Sequence, residues 1–395
     1  MSEDVRMRNK IIKIRRSRRT WSNAMLYKQY FNFYFFNKLY AWSLIYELSH
    51  NNLFFGFFQL VLLAAMSSLT RIPIIDFSQP TQSRDKLASE IVNALETVGF
   101  LFLDNVIGYD SDLIERATKW FYSLPENTKH SLACKSFNPQ NKNVYRGYFP
   151  ANAQNSSFKE GYEIGEELSE KEIIEIGFPL YERNQWPSGG DEAKWFRDVL
   201  LNYQGLMHNT VMEFSRLVAH GLGATETWFD NMFSPYPLST LRLINYPPRP
   251  EPIPDVARDG AYVLHCGGHT DTPFFTLLST FDYGGLQILD NNNQWLDVPV
   301  RRNSLVVNIG DVLSKVTNRK LKATTHRVVD MGIQRQSVAY FLEPRFDVNI
   351  NRVIGSEANE GKKEEVCYGT WMLQNFIDKS YVEYIDLATA FFSKR

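Results

Sequence analysis

The sequence predicts an α+β fold: a double-stranded β-helix, or jelly roll, flanked by helices from an N-terminal mixed region and by a C-terminal helix. Three observations predict it. Between Leu238 and Phe346 short β-rich runs follow one another (STLRLINY, FFTLLST, GGLQILD, QWLDVPV, NSLVVNIG, ATTHRVVD, RQSVAYFLEP), separated by turn-forming clusters such as FDYGG and LDNNNQ. So many short strands close most of their edges when two sheets pack face to face. Before them apolar residues recur at helical spacing, and after them a polar loop leads to a helical pattern from about Gly369 to Ser393.

The chain divides into four segments. Residues 1–69 open with a basic cluster (Arg6, Arg8, Lys10, Lys13, Arg15, Arg16, Arg18, Arg19), continue through an aromatic tract and reach LFFGFFQLVLLAAM. That last run has only 14 residues, with Gln59 inside it, whereas a spanning helix needs about 20 apolar residues. A signal peptide fits poorly, because the basic and apolar regions lie too far apart. A mitochondrial presequence or an interfacial tether stays open. The preferred expectation is that the segment is absent from the mature protein, since MSSLTRIPIIDFS from Met66 reads as a natural start.

Residues 70–236 read as an α/β region. IPIIDF is a strand; RDKLASEIVNALETVGF is a helix with Leu87, Ile91 and Leu95 on one face, stopping near Gly99 before an apolar strand. SDLIERATKWFYSL and the long stretch from Glu192 to Gly223 supply further amphipathic helix, a wall packed against something else. Residues 237–347 are the jelly-roll core, and 348–395 the C-terminal loop and helix.

Composition narrows the function. The formal charge of −1 is uneven: ten Lys/Arg against three Asp/Glu up to Met66, then 33 against 41. A mildly acidic body excludes a nucleic-acid footprint. Three dispersed cysteines without a CxxC pair point to free thiols in a reducing compartment, here the cytoplasm. The chain is expected to act as a monomer on a small-molecule substrate, with membrane contact only if residues 1–69 are retained.

The chemistry is concentrated in GGHTDTPFFTLL. On an extended segment alternate side chains share a face, so His269 and Asp271 project together. An imidazole and a carboxylate make half of a metal site, and His326, on a later strand, can complete it. Two His and one carboxylate form the facial triad that holds non-haem Fe(II) with positions left open. Each piece alone has a bland reading: His-x-Asp as a surface pair, His326 as a core histidine, Cys266 as a small buried residue. Arg335 and Ser337 add weight, because they share one strand face in RQSVAYFL. An Arg facing an apolar core needs an anionic partner, which points to a carboxylate-bearing small molecule near the metal.

With these elements in place, the sequence resembles the iron(II)- and 2-oxoglutarate-dependent dioxygenases, in the branch that includes isopenicillin N synthase and many plant oxidases. HTDTPFFTLL, GGLQIL, WLDVPV, SLVVNIGDVL, TNRKLKATTHRVV and RQSVAYFLEP carry the resemblance, with RLINYPPRP, IPIIDFS, GFLFLDN, RGYFP and KEGYEIG before them. It extends from Ile72 to the C-terminus and leaves residues 1–69 without a counterpart. The resemblance implies that His269, Asp271 and His326 hold the iron, that Arg335 and Ser337 bind the distal carboxylate of 2-oxoglutarate, and that Tyr246 assists them. Many plant members carry an extra residue beside this tyrosine, so Asn245 and Tyr246 depart from the pattern. The implied reaction consumes O2 and 2-oxoglutarate, releases succinate and CO2, and hydroxylates, desaturates or cyclises a small organic molecule.

Two alternatives remain. An isopenicillin N synthase-type oxidase would grip the substrate's own carboxylate with Arg335 and Ser337 and use no 2-oxoglutarate. A non-catalytic binding or sensor protein could share the fold. Asp311 with Gly310 reads as turn chemistry, Gly284 and Gly285 as the opening of a strand or bulge, and His208 and His220 as part of the helical wall. Tyr145, Phe149 and Tyr162 read as core aromatics that could instead line a substrate pocket.

Overall fold

The computed structural model describes residues 72–78, 83–354, 364–378 and 384–393. The expectations for residues 1–69, a targeting segment or a tether, lie outside the described residues. Among the described residues no helix is long and apolar enough to cross a membrane.

The order begins β1 (Ile74–Asp76), α1 (Arg84–Thr97), β2 (Phe100–Asp104), α2 (Ser111–Ser123), α3 (Glu126–Ser131), β3 (Gly147–Phe149) and β4 (Glu160–Ile164). It continues with α4 (Glu170–Ile176), the long α5 (Gly190–Gly221) and α6 (Asp230–Phe233). Local chemistry sets the helix starts. The Ser83 hydroxyl accepts from the Lys86 amide, and the Asp110 carboxylate from the amides of Asp112 and Leu113. Ser169 and Glu172 form a reciprocal capping box on α4, which ends at left-handed Gly177.

The core strands are β5 (Thr240–Tyr246), β6 (Arg258–Asp259), β7 (Tyr262–His269), β8 (Phe275–Ser279), β9 (Leu286–Leu289), β10 (Trp295–Asp297) and β11 (Ser304–Ile309). A short α7 (Asp311–Val316) precedes β12 (His326–Val329) and β13 (Arg335–Leu342), and α8 (Tyr368–Asp378) and α9 (Ile385–Phe392) follow. The strands form two sheets. One has eight strands in the order β1-β2-β11-β8-β13-β5-β4-β3, the other five in the order β10-β9-β12-β7-β6. β1 runs parallel to β2, and the other named pairings are antiparallel.

Side-chain alternation divides the interior in two. On β2, Leu101 and Leu103 join the helix-side core with Phe214 and Leu217 of α5, whereas Phe100 and Phe102 join the inter-sheet core with Ile244, Tyr246, Ile288, Val328 and Ala339. Each such large side chain contributes about 1.5–3 kcal/mol on burial. The long helix is thus the wall behind the eight-stranded sheet, and the space between the sheets is left for chemistry.

Two details differ from the sequence expectation. The single C-terminal helix is two described helices, and Tyr384, at the start of the second, buries its hydroxyl against Glu163, 2.5 Å away. Strand β7 ends at His269, so Asp271 lies in the turn beyond it rather than on the strand. That turn is held by the Asp311 amide, which donates to the Asp271 carbonyl at 2.8 Å.

Candidate active site

His269 and His326 are paired residues of β7 and β12, and the turn after β7 swings Asp271 beside them. Ligand atoms of the three lie within 4.8 Å of one another. Asp271 Oδ1 is 3.7 Å from His269 Nε2 and 3.6 Å from His326 Nε2. Such separations suit donors that share a cation instead of bonding each other directly.

The surroundings leave one lone pair of each residue aimed inward. His269 Nδ1 donates to the Gly267 carbonyl (2.9 Å) and His326 Nδ1 to the Thr324 carbonyl (3.2 Å), which turns both Nε2 atoms toward Asp271, where a metal would take the place of their protons. Asp271 Oδ2 accepts from Thr276 Oγ1 (2.7 Å) and Asn308 Nδ2 (2.8 Å), leaving Oδ1 for a metal. Burial would raise the Asp271 carboxyl, but His326, His269 and Asn308 together hold it well below the usual carboxylate range. The Phe100 ring stands edge-on to His326 at 5.5 Å. Behind His326, the Thr324 hydroxyl donates to the Val98 carbonyl at 2.7 Å. This approach needs Gly99: a Cβ there would collide with Thr324 Oγ1, and its φ of +74° suits glycine.

The second expected group lies in the same inter-sheet space. Arg335 pairs with Tyr246 across β13 and β5, its guanidinium 4.7 Å from the ring. Ser337 follows two residues on, also buried. Arg335 is 2% exposed, yet its Nε and Nη1 have no hydrogen-bond partner among the described residues. A guanidinium buried this way calls for an anion that the described residues do not provide. The three inward donors fit a divalent cation, and the two orphaned N–H groups fit a carboxylate such as that of 2-oxoglutarate.

A cavity opens beside the triad. Gly267, Gly268, His269, Asp271 and Thr272 line it, as do Arg242, Phe341, Glu343, Phe376 and Tyr384. Sequence reasoning missed the supports Thr276 and Asn308, because single polar residues on apolar strands carry no pattern. It also missed the contributions to the cavity of Phe376 on α8 and of Tyr384 just before α9. Tyr145 lines the cavity, whereas Tyr162 stacks on Phe121 at 4.3 Å and Phe149 lies buried beneath Arg242. His208 pairs with the Tyr340 hydroxyl (3.0 Å) and His220 with Asp85 (2.6 Å), outside the triad. Cys266 Sγ stands 3.8 Å from His269 Nδ1, the nitrogen turned away from the other ligands.

A jelly roll with two His and one carboxylate between its sheets defines the class of non-haem iron oxygenases. The chain belongs to the 2OG-Fe(II) oxygenase superfamily: residues 237–344 match that family, and residues 72–189 match the N-terminal region of the non-haem dioxygenases in morphine synthesis. It is 30% identical to a 2-oxoglutarate-Fe(II) type oxidoreductase of Emericella nidulans over 291 residues, 69% of this chain and 79% of that one. It is 27% identical to the isopenicillin N synthase of Streptomyces clavuligerus over 309 residues, 76% of this chain and 93% of that one. Among solved structures, a full-length Neurospora crassa protein in complex with alpha-KG superposes with a TM-score of 0.65 at 28% identity, over 78% of this chain and 96% of that one.

Proposed function

We propose that the protein is a non-haem Fe(II)- and 2-oxoglutarate-dependent oxygenase in which His269, Asp271 and His326 hold the iron and Arg335 and Ser337, with Tyr246, hold 2-oxoglutarate. The observation that carries this reading is the pairing of an inward-aimed triad with a buried guanidinium whose Nε and Nη1 lack partners among the described residues.

Iron(II), when bound, would activate O2, the oxidant: 2-oxoglutarate gives up two electrons to become succinate and CO2, taking one oxygen atom, and the other oxygen enters the substrate or leaves as water with two of its hydrogens. The protein's own residues do the rest. Thr276 and Asn308 keep Asp271 Oδ2 engaged, so that Oδ1 stays available. The carbonyls of Gly267 and Thr324 hold the imidazole protons on Nδ1. Arg335 fixes the far end of the cosubstrate by a charge-assisted fork while Phe100, Ile288, Val328 and Ala339 keep water out of the inter-sheet space.

Anaerobic addition of 2-oxoglutarate to the Fe(II) protein tests the proposal: a metal-to-ligand charge-transfer band is expected, with succinate released once O2 is admitted. Similarity to isopenicillin N synthase supports a second reading, in which Arg335 grips a substrate carboxylate directly. Absence of the band, with O2 still consumed in the presence of a substrate, selects that reading. The division near residues 69, 236 and 347 is part of this proposal, with the triad and Arg335 all placed in the 237–347 segment.

A further inference from the structure

Strand β12 carries His326 toward the inter-sheet space, and side-chain alternation sends Arg327, the next residue, to the opposite face of the five-stranded sheet. The neighbouring strands agree. Leu286, Ile288 and Val328 join the inter-sheet core and Leu296 packs against it, so Gln287 and Trp295, which alternate with them, share the outer face with Arg327.

On that face Arg327 meets one residue from every other strand of its sheet. Its Nε donates to Gln287 Oε1 of β9 at 2.8 Å, and its Nη1 donates to Asp259 Oδ2 of β6. Its guanidinium lies 4.2 Å from the Trp295 ring of β10 and 4.9 Å from the Tyr262 ring of β7. Gln287 presents its oxygen to Arg327 because its Nε2 donates to Asp297 Oδ1 of β10 at 2.9 Å. Four such contacts need a fork of donors with two flat faces, which arginine alone has. Although it lies on the outer face, Arg327 is only 2% exposed.

This cross-strand clamp stands behind the two histidines of the triad. His326 and His269 are register partners across β12 and β7, and Arg327 follows the one while Gly268 precedes the other. The Trp295 ring that stacks on Arg327 also covers Gly268, where an added Cβ would lie 3.2 Å from the ring. Beyond the histidine pair the β12–β7 register shifts twice, between His326 and Val328 and again before Val329. A ladder interrupted in this way holds its strands by fewer backbone bonds. Contacts from the outer face supply what the ladder lacks.

We propose that Arg327 is a positioning residue of the iron centre: stacked on Trp295 and tied to Gln287 and Asp259, it locks β12 against β7 from behind, so that His326 and His269 face one cation at a fixed separation. The inference rests on the oxygenase reading above, which gives both histidines to the metal. Arg327 acts through strand geometry, from the side of the sheet opposite the triad.

Anaerobic Fe(II) titration of the full chain against a competing chelator, without turnover, tests this. Arg327→Gln is expected to weaken Fe(II) affinity about tenfold or more, as loss of an outer support does, and to shift the charge-transfer band that forms when 2-oxoglutarate is added. Phe214→Leu, which trims the helix-side core away from this sheet, is the stability control. It is expected to lower the melting temperature while Fe(II) affinity stays within twofold of wild type. Affinity within twofold of wild type or an unshifted band in folded Arg327→Gln overturns the proposal. An equal loss of affinity in Phe214→Leu also overturns it, because general destabilisation then explains the effect. Should Arg327→Gln fail to fold, Trp295→Leu decides by the same criteria, since it removes the stack and leaves the hydrogen bonds of Arg327 in place. Failure of the oxygenase reading looks different: the wild-type chain then binds no Fe(II), or His326→Ala binds it equally well.

Discussion

Arg335 and Tyr246 stand opposite each other in the β5–β13 ladder, and the guanidinium that meets the ring at 4.7 Å keeps Nε and Nη1 without a partner among the described residues, although only 2% of the residue is exposed. Two charge-assisted hydrogen bonds to a carboxylate contribute about 3 kcal/mol together. Arg335→Gln is therefore expected to raise the 2-oxoglutarate concentration at half-maximal turnover about a hundredfold. A titration curve that overlays the wild type would remove Arg335 from cosubstrate binding.

Asp271 and its supports separate ligation from orientation. Asp271→Ala is expected to abolish iron-dependent turnover. Asn308→Ala and Thr276→Val, which each free one bond on Oδ2, are expected to weaken Fe(II) affinity about 10–100-fold, the usual effect of losing an outer partner of a metal ligand. Metal titration followed by absorbance checks this, and unaltered affinity in both variants would show that the turn alone orients the carboxylate.

Gly310 is where two backbones nearly touch. A Cβ there would collide with the Pro273 carbonyl oxygen and lie 2.9 Å from that of Asp271. Gly310→Ala has to push the turn that carries Asp271, so a loss of about 1–3 kcal/mol of stability is expected together with weaker metal binding. Denaturant unfolding and metal titration on the same sample decide this; retention of both would mean the turn has slack.

Removal of the metal is expected to lower the melting temperature. A ligand at a hundred times its dissociation constant adds about 2.7 kcal/mol to the folded state. Chelation should therefore cost several degrees, restored by Fe(II) and lost in His326→Ala. An unchanged melting temperature on chelation argues against a built metal site.

His265, buried on β7, gives a pH dependence of its own. Its Nε2 donates to the Pro247 carbonyl at 3.0 Å, Asp330 lies 3.5 Å away, and burial lowers the imidazolium to about 4. The unfolded chain takes up this proton near pH 6.5 and the folded chain does not, so the group costs nothing above about pH 6.5. Stability is lost as the pH falls toward 4, by up to about 3 kcal/mol. His265→Asn should flatten the slope of unfolding free energy over that interval, and parallel wild-type and variant slopes would discard the assignment.

Much of the site is legible in the sequence because strand chemistry is local. Alternation along RQSVAYFL places Arg335 and Ser337 on one face, and β13 does hold both buried. The strand periodicity that makes His269 and Asp271 neighbours in fact ends at His269; they converge because a turn pinned by Asp311 replaces the strand. Asn308 gives no signal, since one Asn in SLVVNI looks like any polar interruption until β11 is placed two strands from β13. Tyr384 is likewise illegible. Its hydroxyl meets Glu163, 221 residues earlier in the chain, and no local pattern encodes a contact that long.

By itself the sequence determined the two-sheet architecture, the helical wall and the types of donor available, because periodicity and residue chemistry act over a few neighbouring positions. Only the tertiary structure decided which lone pairs face one another, that Arg335 Nε and Nη1 lack hydrogen-bond partners among the described residues, and that Phe376 and Tyr384 of the C-terminal region line the cavity beside the triad. These depend on strand register and chain packing, which settle distances among residues far apart in the chain and so leave no trace in any short segment.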